Sequence, residues 1–206
     1  MVIVWFKRDI RLTDHEPLVN AIAENQKIVL LYSFEPLWTT DPHYSKLHLN
    51  FIKQSLEDIN NQLKAYNTKV LCVSEDFPEL LEKLNAIEKI THLFSHQETG
   101  MRITYERDKK VAQWCKTHQV TWQESIHNGV FRGRKNRIDW QKNWVTFINS
   151  KLQNPSMDLG SFYSLKELNN SFESLFDIVD LSTEYNPLVQ KGGTAHGVRY
   201  LHSFIE

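Results

Sequence analysis

Five short apolar runs, separated by helix-like stretches, constrain this chain more than anything else in it. They are "VIVWF" (2–6), "IVLLYSF" (28–34), "KVLCVS" (69–74), "ITHLFS" (90–95) and "VTWQE" (120–124). Short, nearly continuous apolar runs suit strands covered on both faces. Between them the spacing turns helical. One helix is expected from Pro17 to Glu24, and a second from Tyr44 to Tyr66 with Leu47, Phe51, Ser55, Leu56, Ile59 and Leu63 on one side. A third follows Asp76, with Pro78 in its first turn, where proline is tolerated. A fourth runs from Thr104 to His118 with Val111, Trp114 and Cys115 facing in. Such alternation implies right-handed βαβ units and an open parallel sheet, an α/β Rossmann-like fold with helices on both faces. Ligands of these sheets bind beyond the carboxyl ends of the strands, where the strand order reverses.

The turn after the first run raises the question of what it could bind. It carries Lys7, Arg8, Asp9, Arg11 and Asp14 and no glycine; the first of the seven glycines is Gly100. A dinucleotide fingerprint or a P-loop needs glycine there, so that backbone can approach phosphate. This turn cannot form such a cradle, and a ligand at it must be held by side chains. The competing reading is a solvated ion-pair cluster of Lys7, Arg8, Asp9 and Arg11.

Other chemistry finds little support. The chain holds no GxSxG, HExxH or CxxC pattern. Its two cysteines, Cys72 and Cys115, read as buried thiols in a reducing cytosol. No apolar run approaches the roughly 18 residues of a membrane span, and "MVIVWFKRD" meets charge too soon for a signal peptide. The expectation is a cytoplasmic protein without a membrane partner. His92 and His96 read as structural or solvated. Trp38 stands apart from the other tryptophans because it follows the second run, near Phe34 and Glu35.

The net charge of −1 excludes a global basic field. Locally, however, residues 101–142 hold ten Lys/Arg against four Asp/Glu. Within them "HNGVFRGRKNRIDWQKNW" interleaves basic residues with aromatics, which suits nucleic acid, a docked domain or a solvated loop. Residues 151–190 are rich in Ser and Asn with weak periodicity, and read as a connection that covers a neighbour and adds nothing to a core. In "GGTAHGVRYLHSFIE" two glycines precede an amphipathic pattern on Ala195, Val198, Leu201 and Ile205. It reads as the first helix of a second domain, cut short at Glu206.

Taken together, these stretches resemble the DNA photolyase and cryptochrome family. "VIVWFKRDIRLTDHEPL" is similar to the family's opening signature, here Trp5, Phe6, Lys7, Arg8, Asp9, Ile10, Arg11, Leu12 and Asp14. "LYSFEPLW", "LNFIKQSLEDINNQL", "THLFSHQETG" followed by "ERD", and "GVFRGRKNRIDWQKNW" add to the likeness, the last two resembling a bacterial subgroup. "GGTAHGVRYLHSFIE" resembles the lead into the helical FAD-binding domain, with Thr194 where Glu is usual. The resemblance covers the N-terminal half of a typical member.

The resemblance implies a five-stranded parallel sheet in the order 3-2-1-4-5. It implies an antenna domain over residues 1–135, a linker and capping segment over 136–190, and the start of a truncated FAD domain over 191–206. Full-length members bind FAD in the helical half and split pyrimidine dimers in UV-damaged DNA under near-UV or blue light; cryptochromes use the same scaffold for signalling. The N-terminal half holds an antenna in many members: a methenyl-folate, an 8-hydroxy-5-deazaflavin or FMN. Here the implied antenna residues are Phe6, Lys7 and Arg8 after the first strand and Phe34, Glu35 and Trp38 after the second. Lys46 and His48 in the second helix, and His96, Gln97 and Glu98 after the fourth strand, complete the rim. Asp9 is expected to fix the turn, paired with Arg8. FAD itself belongs to the half beyond this chain, so neither catalysis nor a tightly held chromophore is expected here. The implied partners are the chain's own FAD domain and, through the whole protein, damaged DNA; the exposed docking face is open to a second copy. A light-signalling cryptochrome and a free-standing nucleotide-binding α/β protein are the alternatives.

Overall fold

The computed structural model, described for residues 1–184 and 186–206, contains one five-stranded sheet in the order β3-β2-β1-β4-β5. The strands are β1 (Val2–Trp5), β2 (Ile28–Ser33), β3 (Val70–Val73), β4 (His92–His96) and β5 (Thr121–Ser125). All four pairings are parallel. The helices are α1 (Glu16–Ala23), α2 (Pro36–Thr39), α3 (Lys46–Leu63), α4 (Phe77–Ile87), α5 (Arg102–His118), α6 (Trp140–Ile148), α7 (Leu165–Ser171) and α8 (Thr194–Ile205). Among the described residues no helix is long and apolar enough to cross a membrane.

Alternation along the strands divides the core in two. Ile3, Trp5, Val29, Leu31, Leu71 and Val73 face α4 and α5, meeting Phe77, Leu80, Leu84, Val111 and Cys115. Val2, Val4, Phe6, Leu30 and Tyr32 face α1 and α3, meeting Leu18, Ala21, Leu56, Ile59 and Leu63. Trp5 stacks on Phe77 with ring centroids 3.5 Å apart. β1 to β4 are nearly wholly buried, as continuous apolar runs demand, but β5 is an edge strand with Thr121 and Gln123 exposed.

Two expectations change. Leu47 and Phe51 do not join Leu56 and Ile59 on the sheet. They lie about half exposed at 49% and 44%, because the first two turns of α3 run past the strand ends. Residues 161–179 also belong to the core. Phe162, Tyr163, Leu168, Phe172 and Phe176 are buried, Phe162 bridges Ile28, and Ile178 bridges Val73. The segment caps one flank of the sheet: Phe162 and Tyr163 are adjacent, and Leu168, Phe172 and Phe176 follow at steps of four, too short a repeat to announce a core face in the sequence. Helix α7 within it starts on a capping box between Ser164 and Glu167.

Candidate functional site

A cleft of about 630 Å³ opens at the carboxyl ends of β1 and β2. β1 lies between β2 and β4, so this is where the strand order reverses. One wall is apolar: Trp38 after β2, Tyr44 before α3, and Leu47, Phe51 and Ile52 on α3. Trp38 is held by Phe34 beneath it and Tyr44 beside it, with centroids 6.0 and 5.1 Å away. The floor is charged, with Arg8, Glu35, Glu98 and Arg107. Val189, Gln190, Gly193 and Thr194 close one side.

The floor is one continuous ion-pair network. The Arg107 guanidinium, only 5% exposed, bonds Glu35, Glu98 at 2.6 Å and Asp108 at 2.9 Å. Arg8 bonds Glu98 and the Tyr44 hydroxyl, each at 3.1 Å. Gly100 permits that placement, since a Cβ there would stand 3.2 Å from the guanidinium. Lys7 lies between Asp108 at 3.4 Å and Glu124 at 3.6 Å, its ammonium 4.1 Å over the Trp5 ring. Arg132 joins the same two carboxylates. Four cations therefore alternate with four carboxylates, and buried charges persist only when so paired. Burial pushes the Glu35 carboxyl up to about 7, although Arg107 and the Phe77 N–H favour its charged form. Burial opposes the Arg107 charge, but Glu35, Asp108 and Glu98 outweigh it and raise the pKa. Burial draws the Lys7 ammonium down, offset in part by Asp108.

Behind this floor lies a second polar cluster. Asp9 accepts the Lys7 N–H at 2.7 Å, His15 Nε2 at 2.8 Å and His96 Nδ1 at 2.5 Å. Burial by itself would raise this carboxyl, but the two imidazole hydrogen bonds hold it well below the usual range. Asp9, His15 and His96 have the separations of a metal site. The proton arrangement argues against one: His15 Nδ1 already accepts the Leu18 N–H at 3.1 Å, as the cap of α1. The ring proton is then on Nε2, facing Asp9, and no lone pair remains there. Burial also lowers the His15 pKa, which keeps the ring neutral.

The solvated-cluster reading of the first turn is therefore overturned, since Lys7 and Asp9 are 7% and 1% exposed. Asp9 does fix the turn, but with His15 and His96, while Arg8 pairs with Glu98. Of the residues expected at the rim, Phe6, Lys7, Arg8, Glu35, Trp38, His48 and Glu98 line the cleft. Phe34, Lys46, His96 and Gln97 do not. Phe34 is buried under Trp38, and His96 is turned toward Asp9. His48 has a second task, accepting the Ser45 N–H at 3.1 Å at the start of α3. Sequence reasoning missed Arg107, Tyr44 and the Val189–Thr194 wall. The run of charges in "ERD" was a signal for Arg107; nothing local marked the wall.

Cys72 and Cys115 are buried, unpaired, and pushed up to about 12 by burial, so neither supplies a thiolate near neutral pH. An apolar wall facing a charged floor, without an activated nucleophile, suits binding of a flat ring with polar edges.

The DNA photolyase family matches residues 2–135. Cryptochrome DASH of Gloeobacter violaceus is 27% identical over 117 residues, covering 54% of this chain and 23% of that protein. Cryptochrome DASH of Synechocystis is 30% identical over 94 residues, covering 41% of this chain and 19% of that protein. Among solved structures, an archaeal photolyase from Sulfolobus tokodaii with two FAD molecules superposes with a TM-score of 0.71 at 15% identity, over 98% of this chain and 46% of that one. The Synechocystis cryptochrome gives 0.72 at 17% identity, over 100% and 46%. This chain thus spans less than half of those structures and about a quarter or less of the relatives' sequences.

Proposed function

Because the chain belongs to the DNA photolyase family, we propose that residues 1–135 are the light-harvesting α/β domain of a photolyase. Residues 136–190 are its linker and capping segment, and 191–206 begin a helical FAD-binding domain. The whole protein is then a deoxyribodipyrimidine photo-lyase that repairs pyrimidine dimers in DNA. The cleft beyond β1 and β2 carries the reading: its size lies within the few hundred to roughly 1,000 Å³ usual for cofactor sites. A folate, deazaflavin or flavin antenna fits the donor set, and when bound it would absorb light and pass the excitation to FAD.

Each residue has a stated part. Trp38, Tyr44 and Phe51 offer the apolar faces a ring system needs. Arg8, locked by Glu98 and Tyr44 yet 48% exposed, presents a guanidinium edge to the ligand. Glu98 and His48 set the polar rim, and Val189–Thr194 limits water on the open side. Lys7 and Arg107 position this rim from below, since their charges are spent on carboxylates.

The exposed apolar residues of α8, Val198, Leu201, Phe204 and Ile205, are 48–88% exposed and form the face that docks the helical domain. In this chain alone that face is free to pair with a second copy. The unpaired thiols support a cytoplasmic location. A cryptochrome is the second reading, favoured by the names of the relatives. Fluorescence titration of the chain with FMN, 8-hydroxy-5-deazaflavin and methenyl-folate tests the site: one should bind, and Trp38→Ala should weaken it about tenfold or more, in line with an aromatic stacking contact. If none binds, and Trp38→Ala leaves the excitation spectrum of the whole protein unchanged, the antenna reading fails. Illumination of damaged DNA with the whole protein separates photolyase from cryptochrome.

A further inference from the structure

We propose that residues 131–152 form a binding surface for single-stranded nucleic acid, independent of the cleft and of any lesion. Residues 131–152 hold Arg132, Arg134, Lys135, Arg137, Lys142 and Lys151 against Asp139 alone, in a chain whose net charge is −1. Arg132 roots the segment in the buried network through Asp108 and Glu124. Lys135, Arg137, Lys142 and Lys151 point to solvent.

The aromatic part is equally distinct. Helix α6 has no buried residue, so the domain core does not use its apolar side. Trp140 and Trp144 are 47% and 38% exposed, their rings only 14° from parallel with centroids 6.3 Å apart. The helix packs on the loop that precedes it. Gly129 takes a φ of +70°, and a Cβ there would stand 3.0 Å from Trp144 and from Phe147. The indoles are thus presented side by side next to an irregular basic loop, with Trp144 packed on Gly129.

Each half of this arrangement has a partner in a single strand. Cations neutralise phosphates and release counterions, while exposed ring faces stack on unpaired bases. Duplex DNA hides its base faces and leaves the indoles unused. A membrane-surface helix carries its cations along its own polar face, whereas α6 holds only Lys142 and the rest lie in the loops that flank it. A second copy would bring like charge against like. The surface is separate from the antenna cleft, so either reading can fail without the other.

The test is fluorescence anisotropy of a short labelled oligothymidylate, undamaged and in the dark, titrated with this chain at several salt concentrations. Binding should weaken steeply with salt, with a log–log slope of about −2 to −3 from the exposed cations. Lys135→Glu with Arg137→Glu should weaken it at least tenfold, and Trp140→Ala with Trp144→Ala by a comparable factor, with circular dichroism and thermal midpoint unchanged. The paired glutamates lie in an exposed loop, so they and the salt slope decide the matter even if the tryptophan variant unfolds. Four results would overturn the proposal: no binding at low salt, equal affinity for duplex, variants that bind like the parent, or an α6-dependent dimer. Binding to vesicles of anionic lipid with none to the oligonucleotide would also overturn it and assign the surface to a membrane.

Discussion

Gly192→Ala tests how the segment before α8 is fastened to the domain. Three backbone N–H groups there are received by one face of α3. Gly192 donates to Gln54 Oε1 at 2.8 Å, Gly193 to Ser55 Oγ at 3.2 Å, and Thr194 to Asp58 Oδ2 at 2.9 Å. A Cβ on Gly192 would stand 2.2 Å from the Phe51 carbonyl oxygen and 2.8 Å from Ser55 Oγ. The nearer obstacle is helix backbone, so no rotamer change relieves it and the segment must lift away. Three hydrogen bonds at about 0.5–1.5 kcal/mol each put the loss at roughly 2–4 kcal/mol. The loss is capped by the segment's own docking energy, because β1 to β5 do not depend on it. Hydrogen exchange should therefore show α8 amides losing protection about 30-fold or more while the strands keep theirs. Cleft ligand affinity should fall as well, because Val189–Thr194 forms one wall. Gly197→Ala is the control: nothing lies within 4 Å of its Cβ position, and in mid-helix it should stabilise by up to about 1 kcal/mol. Unchanged α8 protection in Gly192→Ala, or equal damage from Gly197→Ala, would refute the reasoning.

Asp9→Ala leaves three buried donors without an acceptor and should destabilise by about 3–5 kcal/mol in urea titrations; Asp9→Asn should lose less, because its amide oxygen still receives part of the set while its NH₂ faces a donor. The Glu35 carboxyl, raised to about 7, binds its proton more tightly folded than unfolded. Its contribution is therefore full below about pH 4.5 and declines as pH rises through 7. Glu35→Gln should flatten that decline between pH 5 and pH 8, and an unaltered slope would assign it to another group. Burial keeps His15 neutral, so the unfolded chain takes up its proton first and stability should fall as pH drops below about 6.5. His15→Gln should remove that component of the acid limb, as read by thermal midpoints across the same range.

The sheet was legible because it rests on local pattern. "VIVWF" and "IVLLYSF" announce buried parallel strands, and Pro78 after Asp76 announces a helix start, without knowledge of distant residues. The absence of glycine also marked the first turn as one built on side chains, and Lys7, Arg8 and Asp9 each engage partners through theirs. What stayed hidden depends on contacts far apart in sequence. Lys7 meets Asp108 and Arg8 meets Glu98 across about 100 and 90 residues, and no spacing rule joins them. His15 as the cap of α1 is an uncommon choice of residue, so its bond to Asp9 went unread. Phe162 was missed because it stands alone, and Phe172 and Phe176, although in helical step with Leu168, because that step is too short a repeat to announce a core face; all three are buried against the sheet.

The cap over β2 and β3 has a consequence for how the chain is made. All five strands have been synthesised by residue 125, but among the described residues the outer edge of β3, apart from the Val70 N–H that Asn60 Oδ1 accepts, is paired by residues 177–179, through Ser74 to Asp177 and Val179 to Cys72. At about 5–20 residues per second, translation needs roughly 3–11 s to deliver that stretch. During this interval the nascent sheet presents an unpaired edge and the apolar surface that Phe162 and Phe172 later cover, both hazards for a growing chain. The protein passes through a window in which a chaperone, or another ribosome's product, can reach β3 before its own sequence does. Slowing translation after residue 135 should then lower soluble yield without changing the folded product.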